Sequence, residues 1–487
     1  MSAGSPEVLA ALTVALTAAV LARGPQGRAS RVGPMRGGQK TTSHGGWATR
    51  RQLAPLLGTG PGHIRLGTLT RPRWRRSVEI RTERTQSVAI VGPTQSGKTT
   101  AVAVPAILEW EGPIIATSVK TDLLADTETW RRRRGTVWCF DPAGTTGRVA
   151  NPWSPLMAAS SWDGARRVAA DLTDVARTPH TSADGDFWFA TAAKLLAPLL
   201  FAAATGGATM LDVVRWVDTQ EVAEVLDLLD AAGVDEALWA AQAGWQRDDR
   251  SRSSVYTTAE TVLEPFIPSI EGTPRGEDIE PERLLGGDHT LFLCAPARDQ
   301  RRLRGAFVAL VNQVLTAAFA RAARSGPLDP PLLVVLDEAA NVAPVSELDV
   351  LAATCAGHGI TLVTVWQDLA QISARYGARA PTVLNNHRAR LFLPGIAEPG
   401  TLEHASALVG EEEVHAGSVT MDARGGRSLT TAPVRRRLLA PEALRQLPRG
   451  QAVLIYGERP PARLSLTPWW ADRALSKRVR EQGATAQ

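Results

Sequence analysis

The sequence is poor in the residues that build disulfide frameworks and zinc sites. Its 487 residues include only three cysteines, Cys139, Cys294 and Cys355, which are odd in number and far apart. This spacing excludes a disulfide scaffold and a zinc-finger pattern, and it favours buried thiols in a reducing compartment. The eight histidines show no metal-ligand spacing either. With 44% apolar and 21% charged residues, we expect instead two or three globular domains.

Lysine is also scarce, because arginine supplies nearly all of the positive charge. Five lysines occur, at positions 40, 98, 120, 194 and 477, so Lys98 and Lys120 stand out as functional candidates. Between Arg23 and Arg84 there are 14 Arg or Lys and two acids, a surplus of +12, which leaves −7 for the remainder of the net +5 (5 − 12). Such a basic block indicates a nearby polyanion, either acidic lipid or nucleic acid, unless it is a solvated linker.

The N-terminus carries one uncharged run of 15 residues, Val8–Ala22. As a helix it would be about 22 Å long, shorter than the roughly 30 Å hydrocarbon core of a bilayer. A signal peptide would need positive charge before the run, where only Glu7 is charged. A buried helix would fit poorly beside a basic, glycine-rich linker. Because basic residues follow the run, we predict a short single-pass anchor in the cytoplasmic (inner) membrane, with the bulk of the protein in the cytoplasm. Its shortness implies a thinned bilayer, a partner helix or a missing upstream segment.

Eight short apolar runs predict the strands of a mostly parallel sheet, because they are apolar on both faces and are separated by helix-like segments. They are SVAIV (87–91), PIIATSV (113–119), TVWCFD (136–141), TLFLCA (290–295), PLLVVLDE (331–338), ITLVTVWQ (360–367), RARLFLP (388–394) and QAVLIYG (451–457). Ligands bind at the carboxyl ends of such strands, which is where Gly92, Asp141, Asp337 and Gln367 fall.

Between Asn151 and about Glu282 the strand pattern is replaced by alanine- and leucine-rich helical periodicity. This predicts an all-α insert in an α/β domain whose sheet has helices on both faces. The predicted organisation is an anchor and basic linker at 1–45, the first part of the sheet domain at 46–150, the insert at 151–284, the second part of the sheet domain at 285–470 and a flexible tail at 471–487.

The clearest chemical motif is GPTQSGKT (92–99), which follows a predicted strand and precedes a helix-compatible segment. It fits the phosphate-binding pattern Gly-x-x-x-x-Gly-Lys-Thr, whose glycines let backbone N–H groups surround phosphate oxygens at a helix N-terminus. Lys98 would contact the β- and γ-phosphates of a nucleotide, and Thr99 would bind Mg²⁺. The predicted nucleotide-binding residues are Gly92, Pro93, Thr94, Gln95, Ser96, Gly97, Lys98, Thr99 and Thr100.

Three further strand ends carry polar residues. LLVVLDEAAN places Asp337 where a carboxylate can hold Mg²⁺, and the adjacent Glu338 can orient and deprotonate an attacking water, unless both acids are simply solvated. TLVTVWQ places Gln367 where a neutral amide can sense the γ-phosphate, although a surface glutamine would show the same pattern. TSVKTD places Lys120 and Asp122 near the same edge, either as functional groups or as a structural ion pair.

Together these motifs resemble the type IV coupling proteins, the TraG/TraD-like ATPases of conjugation and type IV secretion. The resemblance extends from about His44 to Trp470. It is carried by segments that occur in the order of that family: SHGGWATRRQL (43–53), TSVKTDLL, FDPAG followed by NPWSPL, DFW (186–188), LDEAANV, TVWQDLAQI (364–372) and VLNNHRARLFLPG (383–395). The resemblance implies a RecA-like P-loop ATPase that carries an inserted all-α domain and works with ATP and Mg²⁺ as a membrane-anchored homo-hexamer.

The resemblance also implies roles and partners. Lys98, Thr99, Asp337, Glu338 and Gln367 match the family's functional positions. Such a motor would bring a relaxase–DNA complex to a type IV secretion channel and use ATP hydrolysis to drive single-stranded DNA, or protein substrates, outward. The alternatives are an FtsK-like double-stranded DNA translocase, an ATPase that recruits protein effectors, and an ATP-binding scaffold that does not hydrolyse.

Two features depart from the pattern of many relatives. The anchor is shorter, and the segment before the glutamine strand, TCAGHGI, has His358 where many relatives carry an arginine that reaches a neighbouring subunit. Arg388 and Arg390 are candidates for that arginine, unless RARLFLP is an ordinary strand with solvated ends. The cluster RPRWRR (71–76) could stack on bases or lie against lipid headgroups.

Overall fold

The computed structural model describes residues 46–70, 77–118, 121–177, 183–267, 276–342, 345–421 and 427–480. The predicted anchor Val8–Ala22 and nine of the 14 basic residues of the block, including those of the cluster at 71–76, lie outside these ranges, and so does Lys120. The phosphate-binding motif and the other candidate site residues lie within them.

Thirteen strands are formed by the described residues. They are β1 (Arg65–Leu69), β2 (Glu79–Arg81), β3 (Val88–Val91), β4 (Ile114–Ser118), β5 (Val137–Phe140), β6 (Thr290–Cys294), β7 (Leu332–Leu336), β8 (Ile360–Trp366), β9 (Ala389–Phe392), β10 (Glu411–Met421), β11 (Arg427–Arg437), β12 (Gln451–Tyr456) and β13 (Ala462–Ser465). Eleven of them form one sheet in the order β2-β1-β13-β12-β9-β3-β8-β7-β4-β6-β5, and β10 pairs only with β11 in a separate antiparallel hairpin.

The seven strands from β9 to β5 in this order run parallel. Nearly all of their residues are buried, as expected for a sheet that is covered on both faces. The other four strands extend the sheet in antiparallel fashion. All eight predicted runs are strands, but QAVLIYG forms β12, which is antiparallel to β9, so its assignment to the parallel part is wrong. An apolar run looks the same in either direction, because burial and not direction sets its composition.

The helices account for most of the remaining regular structure. They are α1 (Val104–Glu109), α2 (Asp122–Arg132), α3 (Trp162–Ala176), α4 (Ala183–Gly206), α5 (Met210–Asp218), α6 (Ala223–Ala232), α7 (Asp235–Trp245), α8 (Asp249–Leu263), α9 (Pro281–Leu284), α10 (Gln300–Ser325), α11 (Leu348–Thr354), α12 (Leu369–Tyr376), α13 (Ala380–Asn386), α14 (Pro399–Val409), α15 (Pro441–Arg445) and α16 (Arg473–Arg480).

Helices cover both faces of the sheet, and alternate strand residues point into two separate cores. On one face, Ile115 and Val334 pack with the helices from α10 to α15. On the other face, Ile114 and Val335 pack with α1, α2 and α16. The period-2 alternation of strand side chains therefore divides the apolar residues between two layers. All three cysteines are buried and free, as the sequence predicts.

The stretch 151–284 is helical, and the part of it that the structure describes contains no strand. Helices α3 to α8 share a third core, built around fully buried side chains such as Trp216 and Leu200. This core supports the proposal of an inserted all-α domain, whose exact boundaries stay a prediction. Among the described residues, two helical segments are long and apolar enough to cross a membrane, Gly185–Gly206 and Gln300–Ser325. Of the most apolar 18 residues in each segment, 61% and 56% respectively are buried within the protein.

The C-terminal segment differs from the flexible tail that we expected at 471–487. Residues 473–480 form α16, whose Leu475 and Val479 are buried against the second core. The guanidinium of Arg478 lies 4.9 Å from the centre of the Trp130 ring and donates a hydrogen bond to the Leu108 carbonyl oxygen at 2.7 Å. The charged composition of this segment gave no indication of a docked helix, because the two apolar residues that pack against the core lie four positions apart among charged residues.

Candidate functional site

The predicted phosphate-binding loop connects β3 to a helix and turns sharply. The Gly92 N–H donates to the Trp366 carbonyl oxygen of β8 at 3.1 Å. A Cβ at Gly92 would lie 2.8 Å from the Leu393 side chain, so only glycine fits beside that strand end. Gln95 and Gly97 have φ values of 62° and 96°, in the left-handed region. Successive residues of opposite handedness create the concave row of N–H groups that binds anions.

The loop ends in a helix that begins with one π-helical turn, Thr99–Ala103, and continues as α1. The Ala101 N–H donates to the Gly97 carbonyl oxygen at 2.9 Å, and the Ser96 hydroxyl donates to that of Pro93 at 2.7 Å. These bonds hold the loop against the first helical turn. The helix N-terminus therefore adds its partial positive charge to the loop, as phosphate binding requires.

Lys98 lies at the centre of this loop and is buried. Its ammonium donates to the Gly92 carbonyl oxygen and, at 2.8 Å, to the carbonyl oxygen of Pro93. These acceptors carry only partial charge, whereas phosphate oxygens carry full negative charge and form stronger charge-assisted bonds. A triphosphate can therefore compete with the loop carbonyls for this side chain.

Asp337 follows β7 and faces the start of the loop helix. The Thr99 hydroxyl donates to its carboxylate at 3.4 Å, and its main-chain carbonyl accepts from the Thr117 hydroxyl at 3.2 Å. Burial, followed by the nearby carboxylates of Glu338 and Asp122, raises the pKa of Asp337 to about 6, against the opposing effect of Lys98. Such a site attracts a cation, because added positive charge would stabilise the ionised carboxylate.

A magnesium ion fits these groups. The hydroxyl of Thr99 and the carboxylate of Asp337 are hard oxygen donors that converge on one point, and Mg²⁺ is held in proteins by one or two such groups together with phosphates and waters. The pKa of Asp337 is raised because the positive charge of Lys98 does not offset the effects of burial and of the adjacent acids.

Glu338 is held in an unusual backbone conformation. Its φ of 52° lies in the left-handed region, which few residues other than glycine adopt. Its carbonyl oxygen accepts from the N–H groups of Asn341 and Val342 at 2.8 and 3.2 Å, so the chain turns immediately after β7. The side chain is partly exposed beside the buried Asp337. Strained residues often occur at functional sites, which agrees with a role for this carboxylate.

Gln367 follows β8, and β8 lies between β3 and β7 in the sheet. Its position therefore places it between the phosphate-binding loop and the Asp337 turn. Its N–H donates to the side-chain oxygen of Gln371 at 2.9 Å, and the Asp368 carboxylate caps the following helix by accepting from the Gln371 N–H at 2.9 Å. The strand end is thus fixed by its own helix.

A buried polar chain beneath Gln367 was not predicted from the sequence. Thr364 accepts a hydrogen bond from the Trp366 indole at 2.8 Å and lies 3.1 Å from the Nε2 atom of His387. The Nδ1 atom of His387 lies 2.7 Å from the Val383 carbonyl oxygen, and burial lowers the pKa of this histidine to about 4. The chain joins β8 to α13 and so fixes the strand that carries Gln367. The motif NNH (385–387) contains the only signal, a histidine directly before an apolar strand.

The other strand-end candidates differ in their relation to this group. Asp141 binds its own loop, accepting from the Thr145 hydroxyl at 3.0 Å and the Thr146 N–H at 2.7 Å. Asp122 begins α2 and acts on Asp337 through its charge. Lys120 lies outside the described residues.

The two arginine candidates lie in or beside β9, away from the carboxyl ends of the strands. Arg388 precedes β9 and forms ion pairs with Glu83 at 3.3 Å and Glu458 at 3.2 Å, so it stabilises the opposite edge of the sheet. Arg390 lies within β9, where burial lowers its pKa. These contacts favour structural roles for both residues within one chain.

Comparison with known proteins supports the same family as the motifs. A family model described as "Type IV secretory system Conjugative DNA transfer" matches residues 63–487. The conjugal transfer protein TraG of Escherichia coli is 26% identical over 400 residues, which cover 74% of this chain and 62% of TraG. The protein VirD4 of Rhizobium radiobacter is 22% identical over 472 residues, covering 90% of this chain and 64% of VirD4. The chain thus spans somewhat more than three fifths of these relatives.

Solved structures of the bacterial conjugative coupling protein TrwB show the same fold. The unbound TrwBdeltaN70 form has a TM-score of 0.62 at 20% identity, covering 78% of this chain and 85% of that one. TrwB in complex with ADP and Mg²⁺ has a TM-score of 0.60 at 20% identity, covering 84% and 96%. The predicted RecA-like fold is therefore confirmed for the part that the structure describes. Because the family model covers most of its length, this chain belongs to the type IV secretory system conjugative DNA transfer family.

Proposed function

We propose that this protein is a coupling ATPase, which hydrolyses ATP to drive DNA, or a relaxase–DNA complex, into a type IV secretion channel. One observation carries the proposal: the 3.4 Å contact between Thr99 and Asp337 at the start of the helix that follows the phosphate-binding loop. It joins the two motifs that bind nucleotide and metal, which lie 238 residues apart in sequence. Family membership supports the DNA-transfer part of the proposal.

Each residue has a distinct role in the proposed reaction. Lys98 leaves the carbonyls of Gly92 and Pro93 and binds the β- and γ-phosphate oxygens of ATP. Thr99 and Asp337 hold Mg²⁺, which neutralises charge that develops on the phosphates. Glu338 orients a water for attack on the γ-phosphate and accepts its proton. Gln367 contacts the γ-phosphate and passes its loss to α12 through the Gln371 contact.

The choice of ATP and Mg²⁺ rests on similarity as well as geometry. Structures of TrwB have been solved with ADP and Mg²⁺, and with non-hydrolysable analogues of ATP and GTP. We infer that the phosphate-binding loop of this chain takes ATP, because its glycines and lysine follow a central parallel strand.

The assembly and its surroundings are part of the same proposal. We infer a homo-hexamer attached to the cell inner membrane by Val8–Ala22, with single-stranded DNA, a relaxase and the secretion channel as partners. Family membership and the uncharged N-terminal run support this assignment. The domain limits given above, with the insert at 151–284, belong to it as well.

The decisive experiment is nucleic-acid-stimulated ATP hydrolysis by the full chain in lipid or detergent. We expect single-stranded DNA to raise the turnover rate more than double-stranded DNA does. Equal or greater stimulation by duplex DNA would favour an FtsK-like translocase, and stimulation by protein cargo alone would favour effector recruitment. No hydrolysis under any of these conditions would leave only a nucleotide-binding scaffold and would overturn the proposal.

A further inference from the structure

The helical insert contains a cavity that is lined by no residue of the phosphate-binding loop. It has a volume of about 340 Å³ and is enclosed by α3, α4, α7 and α8. This volume falls within the range of small-molecule sites, which measure roughly 300 to 1,000 Å³. The cavity is therefore large enough for a ligand with a body of one or two rings or a medium-length alkyl chain.

The walls of the cavity are mainly apolar and aromatic. Trp162, Leu195, Val255 and Tyr256 supply the larger surfaces, and alanines supply most of the rest. The Tyr256 hydroxyl accepts from the Trp245 indole at 3.0 Å, so the polar end of this side chain is tied to the wall. Such a lining favours the apolar body of a ligand and offers few neutral polar partners.

The charged residues around the cavity are all cations. Arg166, Lys194, Arg247 and Arg252 line it, and no acid does. Arg252 is paired with Asp249 at 2.7 Å, and Arg166 lies 3.6 Å from Asp163. The rest of the chain outside the N-terminal basic block has a net negative charge. The positive charge of the cavity lining is therefore a local feature, because the average charge of this part of the chain is negative.

Two of these cations have no carboxylate partner among the described residues. Lys194 and Arg247 form no ion pair with any described acid. Lys194 is also the only charged residue between Asp186 and Asp212, in the most apolar helix of the insert. Lys194 is exposed at the cavity mouth, so its ammonium is accessible to a ligand that enters from solvent.

We propose that this cavity binds a small amphiphilic anion, with its apolar chain or ring system against Trp162 and Tyr256 and its carboxylate, sulfonate or phosphate head between Lys194 and Arg247. Charge complementarity and cavity size carry the inference. Such a head group would form charge-assisted hydrogen bonds with both cations, and its apolar body would lose contact with water. The site is separate from the ATP site and does not depend on the proposed reaction.

The test is calorimetric titration of the full chain with decanoate and, as a neutral counterpart, with 1-decanol. We expect saturable binding of one decanoate per chain and at least about tenfold weaker binding of the alcohol, since a neutral hydroxyl cannot form charge-assisted hydrogen bonds with both cations. The double variant K194Q/R247Q should lose at least tenfold in decanoate affinity. The variant A243W, which places an indole at the cavity mouth, should reduce the binding of both ligands.

The matched control is R250Q, which removes an exposed arginine of α8 that does not line the cavity and should leave decanoate binding unchanged. Circular dichroism of each variant checks that the insert is folded. Absence of saturable binding would overturn the proposal, and so would equal affinity for acid and alcohol or full affinity in folded K194Q/R247Q. Displacement of decanoate by an acidic amphipathic peptide at lower concentration would instead make the cavity a protein-docking site.

Discussion

The carboxyl edge of the sheet and the cavity of the helical insert both present cations to a concave surface, but they differ in how those cations are held. At the sheet edge, Lys98 is buried, bonded to its own loop and close enough to Asp337 to act on it through its charge. In the insert, Lys194 is exposed and has no described carboxylate partner. The first arrangement combines opposite charges around a reacting group, whereas the second offers one sign of charge beside an apolar wall.

The difference follows from the elements that carry each site. Parallel strand ends are fixed by the ladder hydrogen bonds of both neighbours, so groups that are far apart in sequence can be held in one geometry. The insert is a helical layer with its own core, and its cavity is lined by side chains on helix surfaces. Catalysis needs the first kind of support, because small displacements of reacting groups cost large factors in rate. Five changes test this contrast, from the largest expected effect to the smallest.

Replacing Lys98 with alanine should abolish ATP hydrolysis at the sheet edge and leave ligand binding in the insert cavity unchanged. We expect ATP turnover to fall about 10²-fold or more, because the only side-chain cation of the loop is lost. Steady-state phosphate release measures the effect, and decanoate titration of the same variant should be normal. A variant that still hydrolyses ATP at the wild-type rate would remove the assignment of the loop.

Replacing Glu338 with glutamine should separate binding from chemistry. The amide keeps the size of the side chain but cannot accept the proton of water, so we expect turnover to fall about 10²- to 10⁴-fold while ATP remains bound. Filter binding of labelled ATP together with phosphate release distinguishes the two steps. Normal turnover would exclude Glu338 as the general base, and loss of ATP binding would assign it a structural role.

Replacing His387 with alanine should weaken the support beneath the sheet edge. The variant removes the contact between His387 and Thr364 and creates a cavity, so we expect a loss of about 2–4 kcal/mol in the free energy of unfolding. Urea denaturation measures the change. Replacing the exposed His415 of the hairpin with alanine is the control and should change the stability by less than about 0.5 kcal/mol. Equal stabilities of the two variants would contradict the structural role of His387.

Asp171 lies where the insert meets the sheet domain, and it should make stability depend on pH. Burial raises the pKa of Asp171 to about 6, against a hydrogen bond with Asn312 that lowers it. A carboxyl group with a raised folded-state pKa stabilises the protein fully below its unfolded value of about 4, and this contribution is lost as the pH rises through about 6. We therefore expect D171N to be more stable than wild type at pH 7.5, by up to about 3 kcal/mol.

The measurement is the thermal midpoint of both proteins at pH 4.5 and pH 7.5. The advantage of D171N should shrink by more than half at pH 4.5, where the folded wild-type carboxyl is protonated and only the ionised unfolded form still favours unfolding. The same difference at both pH values would show that packing, and not ionisation, distinguishes the variants.

Replacing Lys194 alone with glutamine should have the smallest effect on the motor. We expect the ATP turnover rate to stay within about twofold of wild type, because the residue lies in the insert and contacts no group of the proposed reaction. Phosphate release with and without DNA measures it. A large loss of turnover in a folded K194Q protein would mean that the insert and the sheet edge act as one site.

Much of the fold could be read from local patterns. The eight apolar runs are strands because a buried strand needs apolar side chains on both faces, and the helical stretch was recognisable by its period and its alanine and leucine content. Five strands were missed. The strands β1, β2 and β13 each have only three to five residues of mixed burial, and β10 and β11 form a separate antiparallel hairpin without a run that is apolar on both faces. The direction of β12 was also missed, because pairing partners are set by the whole sheet.

The candidate site likewise has a part that local sequence reveals and a part that depends on the tertiary structure. The motif at 92–99 and the pair Asp337–Glu338 are recognisable because phosphate and magnesium chemistry demands particular residues at short spacing. The chain of Thr364, Trp366 and His387 was not recognisable, since a buried hydrogen-bond chain depends on residues brought together from β8 and the segment before β9. The cationic lining of the insert cavity likewise comes from separate helices.

By itself, the sequence determined eight of the strands, the helical stretch and the short motifs that can bind phosphate, because these depend on neighbours along the chain. Only the tertiary structure decided the strand order, the contact of Thr99 with Asp337, the docking of α16 and the charge of the insert cavity. The physical reason is that a contact between distant residues depends on the packing of whole layers, whose energy is shared among many side chains and leaves little trace at any one position.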